Sequence, residues 1–344
     1  MRLLSTIKAA FEEGVYLLDG VLSHDDRCMS FSASNQLIKT YDVRSGAHVC
    51  DMIGHSEPIT DLVTCRSNTS VLYSCQQNTG VMISDLRVGK AVHFLTELTT
   101  SGMESYSLSV DPSGNRLALA VNGDIQLIDT RTWTSCGNPV MDIHSDEITR
   151  IRFCNDNWLC TAGEDHLINV LDLAAKEDDM MLDVINAGEV VHKMHWHPQH
   201  NVVTATGSCE NAWIINLTPG SRETKICRRD FDTYCVDFAT LDNKSTLAMV
   251  LGRSSEESMC ALDVVSCTPG SEGQVRGTLA NGHKEIARVC LSLGDRLITA
   301  GEDSSICVWS TANEEPMPVA DEASQKAPRG TATLQNMRGA RKPY

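Results

Sequence analysis

Three groups of residues in this 344-residue chain have types and spacings that could do chemistry. The densest is the segment VHKMHWHPQH, which carries His192, His195, His197 and His200. Side chains two apart on a strand share a face, so His195 and His197 could present two imidazoles to one metal ion. No acid lies close in sequence to complete such a site, and the Pro marks a turn. The segment reads as a strand running into a polar turn, with metal binding as a remote alternative. A second group is His283, Thr299 and Asp303, an acid, an imidazole and a hydroxyl that superficially resemble part of a catalytic triad. The third is a repeated Asp-x-Arg spacing: Asp42 and Arg44, Asp85 and Arg87, Asp129 and Arg131. A planar guanidinium suits bidentate contact with a partner's carboxylate. Other chemistry finds no support. There is no G-x-S-x-G, no phosphate-binding glycine loop and no G-x-G-x-x-G. Fourteen cysteines include no C-x-x-C pair. With Leu3–Ala10 too short and polar for a secretory signal, they read as free thiols of an intracellular protein.

The elements that must hold these residues follow one period. A short aliphatic run ends in an acid or a polar substitute at Asp42, Asp85, Asp129, Asp172, Asn216, Asp263 and Ser310. The steps between them are 43, 44, 43, 44, 47 and 47 residues. The two longer steps contain the insertions RSSEES and CTPGSEG. Each period carries four strand signals. In the fourth, ITRIRF alternates apolar and polar as a half-buried strand should. WLCTAG, LINVLDL and MLDVI follow, with the acidic Glu177–Asp179 run as a solvated loop. Seven such periods, each unable to bury its faces alone, predict an all-β ring of stacked sheets.

These repeats resemble the WD40 family over roughly residues 3–310. The closest match is Gly282-His283 followed by ITAGEDSSICVWS in the seventh period, then His144 with TAGEDHLINVLD in the fourth. The resemblance implies a single seven-bladed WD40 β-propeller. It also implies a structural tetrad of His before the inner strand, Ser/Thr on the second, Asp in the next turn and Trp on the third. In blade seven these are His283, Thr299, Asp303 and Trp309. In blade four they are His144, Thr161 and Asp165, with Leu171 for Trp. In blade two they are His55, Ser74 and Asn78, with Ser84 for Trp. The tetrad residues are therefore expected to be structural, not catalytic. The Asp-x-Arg spacing looks like the end of the WD-x-Arg motif of cullin-4 ubiquitin ligase substrate receptors, although Tyr41, Ser84 and Ile128 occupy the Trp place. Other segments, among them YLLDG and HSDEITRIRF, resemble a non-enzymatic subgroup with a plausible link to ribosome assembly.

Ring closure has its own prediction. The seventh period lacks a fourth strand, and LLSTIKA (3–9) is one strand too many at the start. Residues 3–9 are therefore expected to become the outer strand of blade seven, since an open edge invites aggregation. After residue 310 the pattern stops. Residues 311–344 read as a disordered tail, acidic first and then basic, with Arg338, Arg341 and Lys342 among its cations. Such tails contact RNA, acidic proteins or import receptors. The net charge of −16 argues against nucleic-acid binding by the propeller body. No apolar run approaches the roughly 20 residues of a membrane span. The expectation is a non-enzymatic, monomeric scaffold without cofactor or metal, binding proteins of a multi-subunit complex in the nucleus, nucleolus or cytoplasm.

Overall fold

Among the described residues of the computed structural model, the strand signals settle into 28 strands in seven four-stranded antiparallel sheets. The structure describes residues 1–10, 14–78, 80–95, 104–209, 211–218, 224–227, 233–242, 245–253, 260–267 and 273–312. They form one compact unit, Met1–Ala312. The basic residues Arg338, Arg341 and Lys342 lie outside the described residues. Each sheet is one blade of a β-propeller, and in six of the seven the four strands run outward in chain order from the central channel. The inner strands are Leu17–Leu22, Ile59–Thr64, Leu108–Val110, Ile148–Phe153, Val191–His197, Thr233–Leu241 and Ala287–Leu293. Strands of period-two patterning bury one face against each neighbouring blade, so the core is distributed between sheets. The middle strands are buried on both faces, as Trp158–Gly163 illustrates with five consecutive buried residues.

Blade seven has the strand order predicted from its missing fourth strand. Its outer strand is Arg2–Lys8, which pairs antiparallel with Ser305–Ser310, Leu3 opposite Trp309 and Ile7 opposite Ile306. The first and last strands of the described residues thus share one sheet, and only the strand limits differ from residues 3–9. The acidic run Glu177–Asp179 forms a single 3-10 turn with no buried residue. Among the described residues, no helix is long and apolar enough to cross a membrane.

Six inner strands share a feature that the sequence pattern does not reveal. Their pairing with the second strand slips by one residue at the same place: between Leu17 and Asp19, Ile59 and Asp61, Ile148 and Arg150, Val191 and Lys193, Cys235 and Asp237, and Ala287 and Val289. A β-bulge re-aims the side chains that follow it. In five of the six strands the next residue is charged, and three of these, Asp61, Lys193 and Asp237, build the ion pairs described below.

Candidate functional site

The acid–imidazole pairs come first, because they most resemble catalytic apparatus. His283 is buried at the start of blade seven. Its Nδ1 lies 3.2 Å from Asp303 Oδ1 and its Nε2 2.7 Å from Thr299 Oγ1. Trp309 Nε1 donates to the same Thr299 oxygen at 2.8 Å. Asp303 also accepts the backbone N–H groups of Lys284 at 2.8 Å and Ser305 at 3.0 Å. Burial opposes a charge on His283, but hydrogen bonding to Asp303 and the Cys307 thiol outweighs it, so the imidazole rises to about 9. Both ring nitrogens then donate, and the Thr299 hydroxyl oxygen can accept from His283 and Trp309 together.

Blade four repeats the core of this set. His144 Nδ1 sits 2.9 Å from Asp165 Oδ1, and Nε2 sits 2.8 Å from Thr161 Oγ1. Leu171 stands opposite Leu159, the register that Trp309 holds opposite Leu297. Asn169 Nδ2 donates to the Ile143 carbonyl at 2.8 Å, but Asn169 Oδ1 is buried without a partner. Blade two departs from expectation. His55 Nε2 meets Ser74 Oγ at 2.7 Å, but Nδ1 meets Gln76 Oε1 at 3.0 Å. Asn78, expected at the Asp position, is exposed with a φ of 60°. Asn tolerates that left-handed turn position, and the longer Gln76 reaches the imidazole from the strand. Gln76 Oε1 also accepts the Ser56 N–H at 3.1 Å, the role Asp303 plays for Lys284. Burial lowers the His55 imidazole, and the neutral amide only partly opposes that.

Blade five shows a substitution with no sequence signature of a tetrad. Ala187 stands where the His would be. Buried Glu189 instead accepts the N–H groups of Cys209 at 2.6 Å and Asn211 at 3.2 Å. Trp213 fills the remaining space, fully buried, with no partner for its Nε1. None of the blade-two, blade-four and blade-seven imidazoles is exposed to a substrate-sized space, since all three are less than a tenth exposed.

The histidine segment lies on the inner strand of blade five, where His195 and His197 both line the channel. An acid remote in sequence joins them. Asp237, on the inner strand of blade six, has Oδ1 3.0 Å from His195 Nε2 and Oδ2 3.2 Å from Lys193 Nζ. The His195 contact is at ion-pair distance without hydrogen-bond alignment. Burial raises the Asp237 carboxyl, but His195 and Lys193 outweigh it and hold it far below its ordinary value. Lys193 Nζ also donates to the Arg288 carbonyl, which ties blades five, six and seven. His197 Nε2 turns to Thr204 Oγ1 at 2.9 Å. Burial, with His195 and His200 nearby, lowers that imidazole to about 3. His192 is exposed on the same strand. Among the described residues no three His, Cys, Asp or Glu side chains converge as metal ligands do.

Across the channel a second ion pair ties three blades. Arg152 of blade four donates to fully buried Asp61 of blade two through Nη1 at 2.7 Å and Nη2 at 2.8 Å. Between them, blade three contributes the Ser107 hydroxyl, which donates to Asp61, and the Leu108 carbonyl, which accepts from Arg152 at 3.2 Å. Burial raises Asp61, but the Arg152 guanidinium overrides it and lowers the carboxyl. These charges are occupied in joining blades.

The rim arginines stand on equivalent turns after the third strand. Arg87 forks onto Asp85 (Nε–Oδ1 3.1 Å, Nη2–Oδ2 2.7 Å), and Arg131 onto Asp129 (3.1 and 2.6 Å), with side chains 74% and 73% exposed. In the first turn Asp42 accepts the Ser45 hydroxyl at 2.7 Å, and Arg44 is exposed without that fork. Each turn closes on a residue with positive φ: Gly46 at 69°, Gly89 at 66° and, in blade three, Trp133 at 57°. Glycine takes that conformation freely, whereas a bulky side chain there is a steric outlier. Trp133 is held by stacking on His93, with ring centroids 5.3 Å apart. The sequence offered no sign of this, because Trp133 replaces the residue that would have shown the repeat.

The fold is a seven-bladed β-propeller whose buried ionic groups are paired within blades and between them. The family model "WD domain, G-beta repeat" matches residues 273–310. The repeat match and the seven blades together support assignment to the WD40 family. Autophagy-related protein 16 of Arabidopsis thaliana is 24% identical over 178 residues, which cover 50% of this chain and 33% of that protein. The aligned segment spans about a third of that relative's length.

Proposed function

We propose that the chain is a non-enzymatic protein-interaction scaffold that serves a multi-subunit assembly. The observation that carries this reading is the fate of its reactive groups. Each imidazole paired with a carboxylate or amide in blades two, four and seven is buried within one blade. The Arg152–Asp61 and Lys193–Asp237 pairs of the channel join blades to one another. Chemistry is thereby confined to the interior, and the loops and rim remain for recognition. A place in ribosome assembly, in the nucleolus or nucleus, is supported by the resemblance of YLLDG, HSDEITRIRF and GHKEIARVCL to the group of WD repeat-containing protein 89. The cations Lys326, Arg329, Arg338, Arg341 and Lys342, with no acid among them, give the tail a charge suited to RNA or acidic proteins. A second reading, contact with a cullin-4 adaptor, is favoured by the matched exposure of Arg87 and Arg131 on consecutive blades.

Affinity purification of the tagged chain from its own cells, with and without residues 323–344, tests both. Ribosomal and assembly proteins lost with the tail are the expected result. Recovery of neither class would contradict the assembly role. Adaptor binding lost only in a triple Arg44→Ala, Arg87→Ala, Arg131→Ala variant would favour the second reading.

A further inference from the structure

The channel opens, at the end formed by the turns between first and second strands, into a cavity of about 530 Å³ lined by residues of all seven inner strands. That volume is in the range of small-molecule sites. Its wall is rich in hydrogen-bond donors for a local reason. Ser109 Oγ accepts the Phe153 N–H at 2.9 Å, and Ser292 Oγ accepts the Thr240 N–H at 2.7 Å. Each hydroxyl oxygen is thus engaged as an acceptor, and neither O–H proton has an acceptor among the described residues. Arg152 adds to this side. Its Nη1 and Nη2 are held by Asp61, while its Nε–H makes no hydrogen bond among the described residues. Arg152 and Ser109 are neighbours, because Arg152 binds the Leu108 carbonyl and the next residue, Phe153, binds Ser109.

Apolar side chains share the lining, among them Val21, Val63 and Leu291. Its charged lining residues are Asp19, Asp111 and Asp156 against Arg66 and Arg152, with Asp111 paired to Arg116 and Arg152 to Asp61. Asp19 has one carboxylate oxygen taken by the Gly20 N–H at 2.8 Å. A highly charged anion gains little in such a site and is repelled by Asp19. A singly charged carboxylate with a short apolar body finds both donors and apolar side chains in the lining. Charge-assisted hydrogen bonds from preset donors are the strong kind.

We propose that this end of the channel binds a small organic monocarboxylate, its head on Ser109 and Arg152 and its body against Val21, Val63 and Leu291. The site is independent of which proteins dock on the outer faces. The test is calorimetry of the full chain with hexanoate, hexanol and inorganic phosphate as probes. Hexanoate should bind saturably, more tightly than hexanol or phosphate. Ser109→Ala should weaken it about tenfold, the loss of one charge-assisted hydrogen bond. Leu291→Trp, which fills the cavity without removing a donor, should abolish it while the melting temperature stays within a few degrees. Absence of saturable hexanoate heat up to about 20 mM would overturn the proposal. So would phosphate binding as tightly as hexanoate, or a folded Leu291→Trp chain that binds as well as the parent. Should Ser109→Ala fail to fold, the Leu291→Trp result decides.

Discussion

Blades two and seven place a histidine in the same slot and give it opposite character. His55 and His283 both precede an inner strand, are both buried, and both put Nε2 on a hydroxyl at 2.7 Å. The difference is one group at Nδ1. In blade seven it is the Asp303 carboxylate, and in blade two it is the Gln76 amide. The carboxylate favours an imidazolium despite burial, whereas the amide leaves burial dominant and the ring neutral. The blades also differ at the third-strand position. Trp309 donates into the network of blade seven, while in blade two Ser84 Oγ is buried without a partner. Blade seven further borrows its outer strand from the other end of the chain. A repeat fold therefore preserves the slot more strictly than its occupants, and closure rests on the best-furnished blade.

The largest effect should come from breaking closure. Removing residues 1–10 exposes the edge of the Ser305–Ser310 strand, with Trp309 and Ile306 beneath it. Loss of a cooperative melt, or aggregation on gel filtration, is the expected outcome; a monomer with parental melting would show that closure lies elsewhere. Next in size is Asp303→Ala. It leaves a buried cation-forming imidazole unpaired, a loss on the order of 3–5 kcal/mol, read as a drop of several degrees in melting temperature. Gln76→Ala in blade two should cost less, because no charge is stranded.

The pH dependence separates the two blades by sign. His283 is raised to about 9, so its contribution is complete below the unfolded value near 6.5 and is lost as pH climbs towards 9. His55 is lowered, so the unfolded chain takes up the proton first and stability falls as pH drops below about 6.5. Denaturant melts across pH should show Asp303→Asn flattening the alkaline decline and Gln76→Glu weakening the acidic one. A Gln76→Glu chain with an unaltered acidic limb would break the comparison. The smallest effect belongs to Ser84→Ala. Removing an unpartnered buried hydroxyl should leave stability unchanged or raise it by up to about 1 kcal/mol, and a clear loss in chemical denaturation would mean that the hydroxyl has a partner.

Much of this was legible in the sequence because it rests on period. Seven blades, the N-terminal closing strand and the partners of His283 and His144 follow from spacing and from polar residues recurring in one frame. What escaped depends on contacts between blades or on local backbone slips. Asp237 lies 42 positions from His195 in sequence, so the histidine segment looked free of acids; the ring brings them to 3.0 Å. The bulges that place Asp61 and Lys193 leave the apolar pattern intact and hence no trace in it. Gln76 and Glu189 reproduce a carboxylate's acceptor role from strand and loop positions where the repeat pattern does not look for it. Trp133 hides a turn equivalent to those of Gly46 and Gly89.

The account holds that the His55 and His283 pairs are fixed structural ties, with the charge of each ring set by the group at Nδ1. Nuclear magnetic resonance titration of the eleven histidines, assigned through His55→Gln and His283→Gln chains, tests this directly. It predicts a His283 imidazolium that persists through neutral pH and titrates near 9, beside a His55 ring that stays neutral below 6.5. Both rings titrating together near 6.5, as exposed imidazoles do, would contradict it.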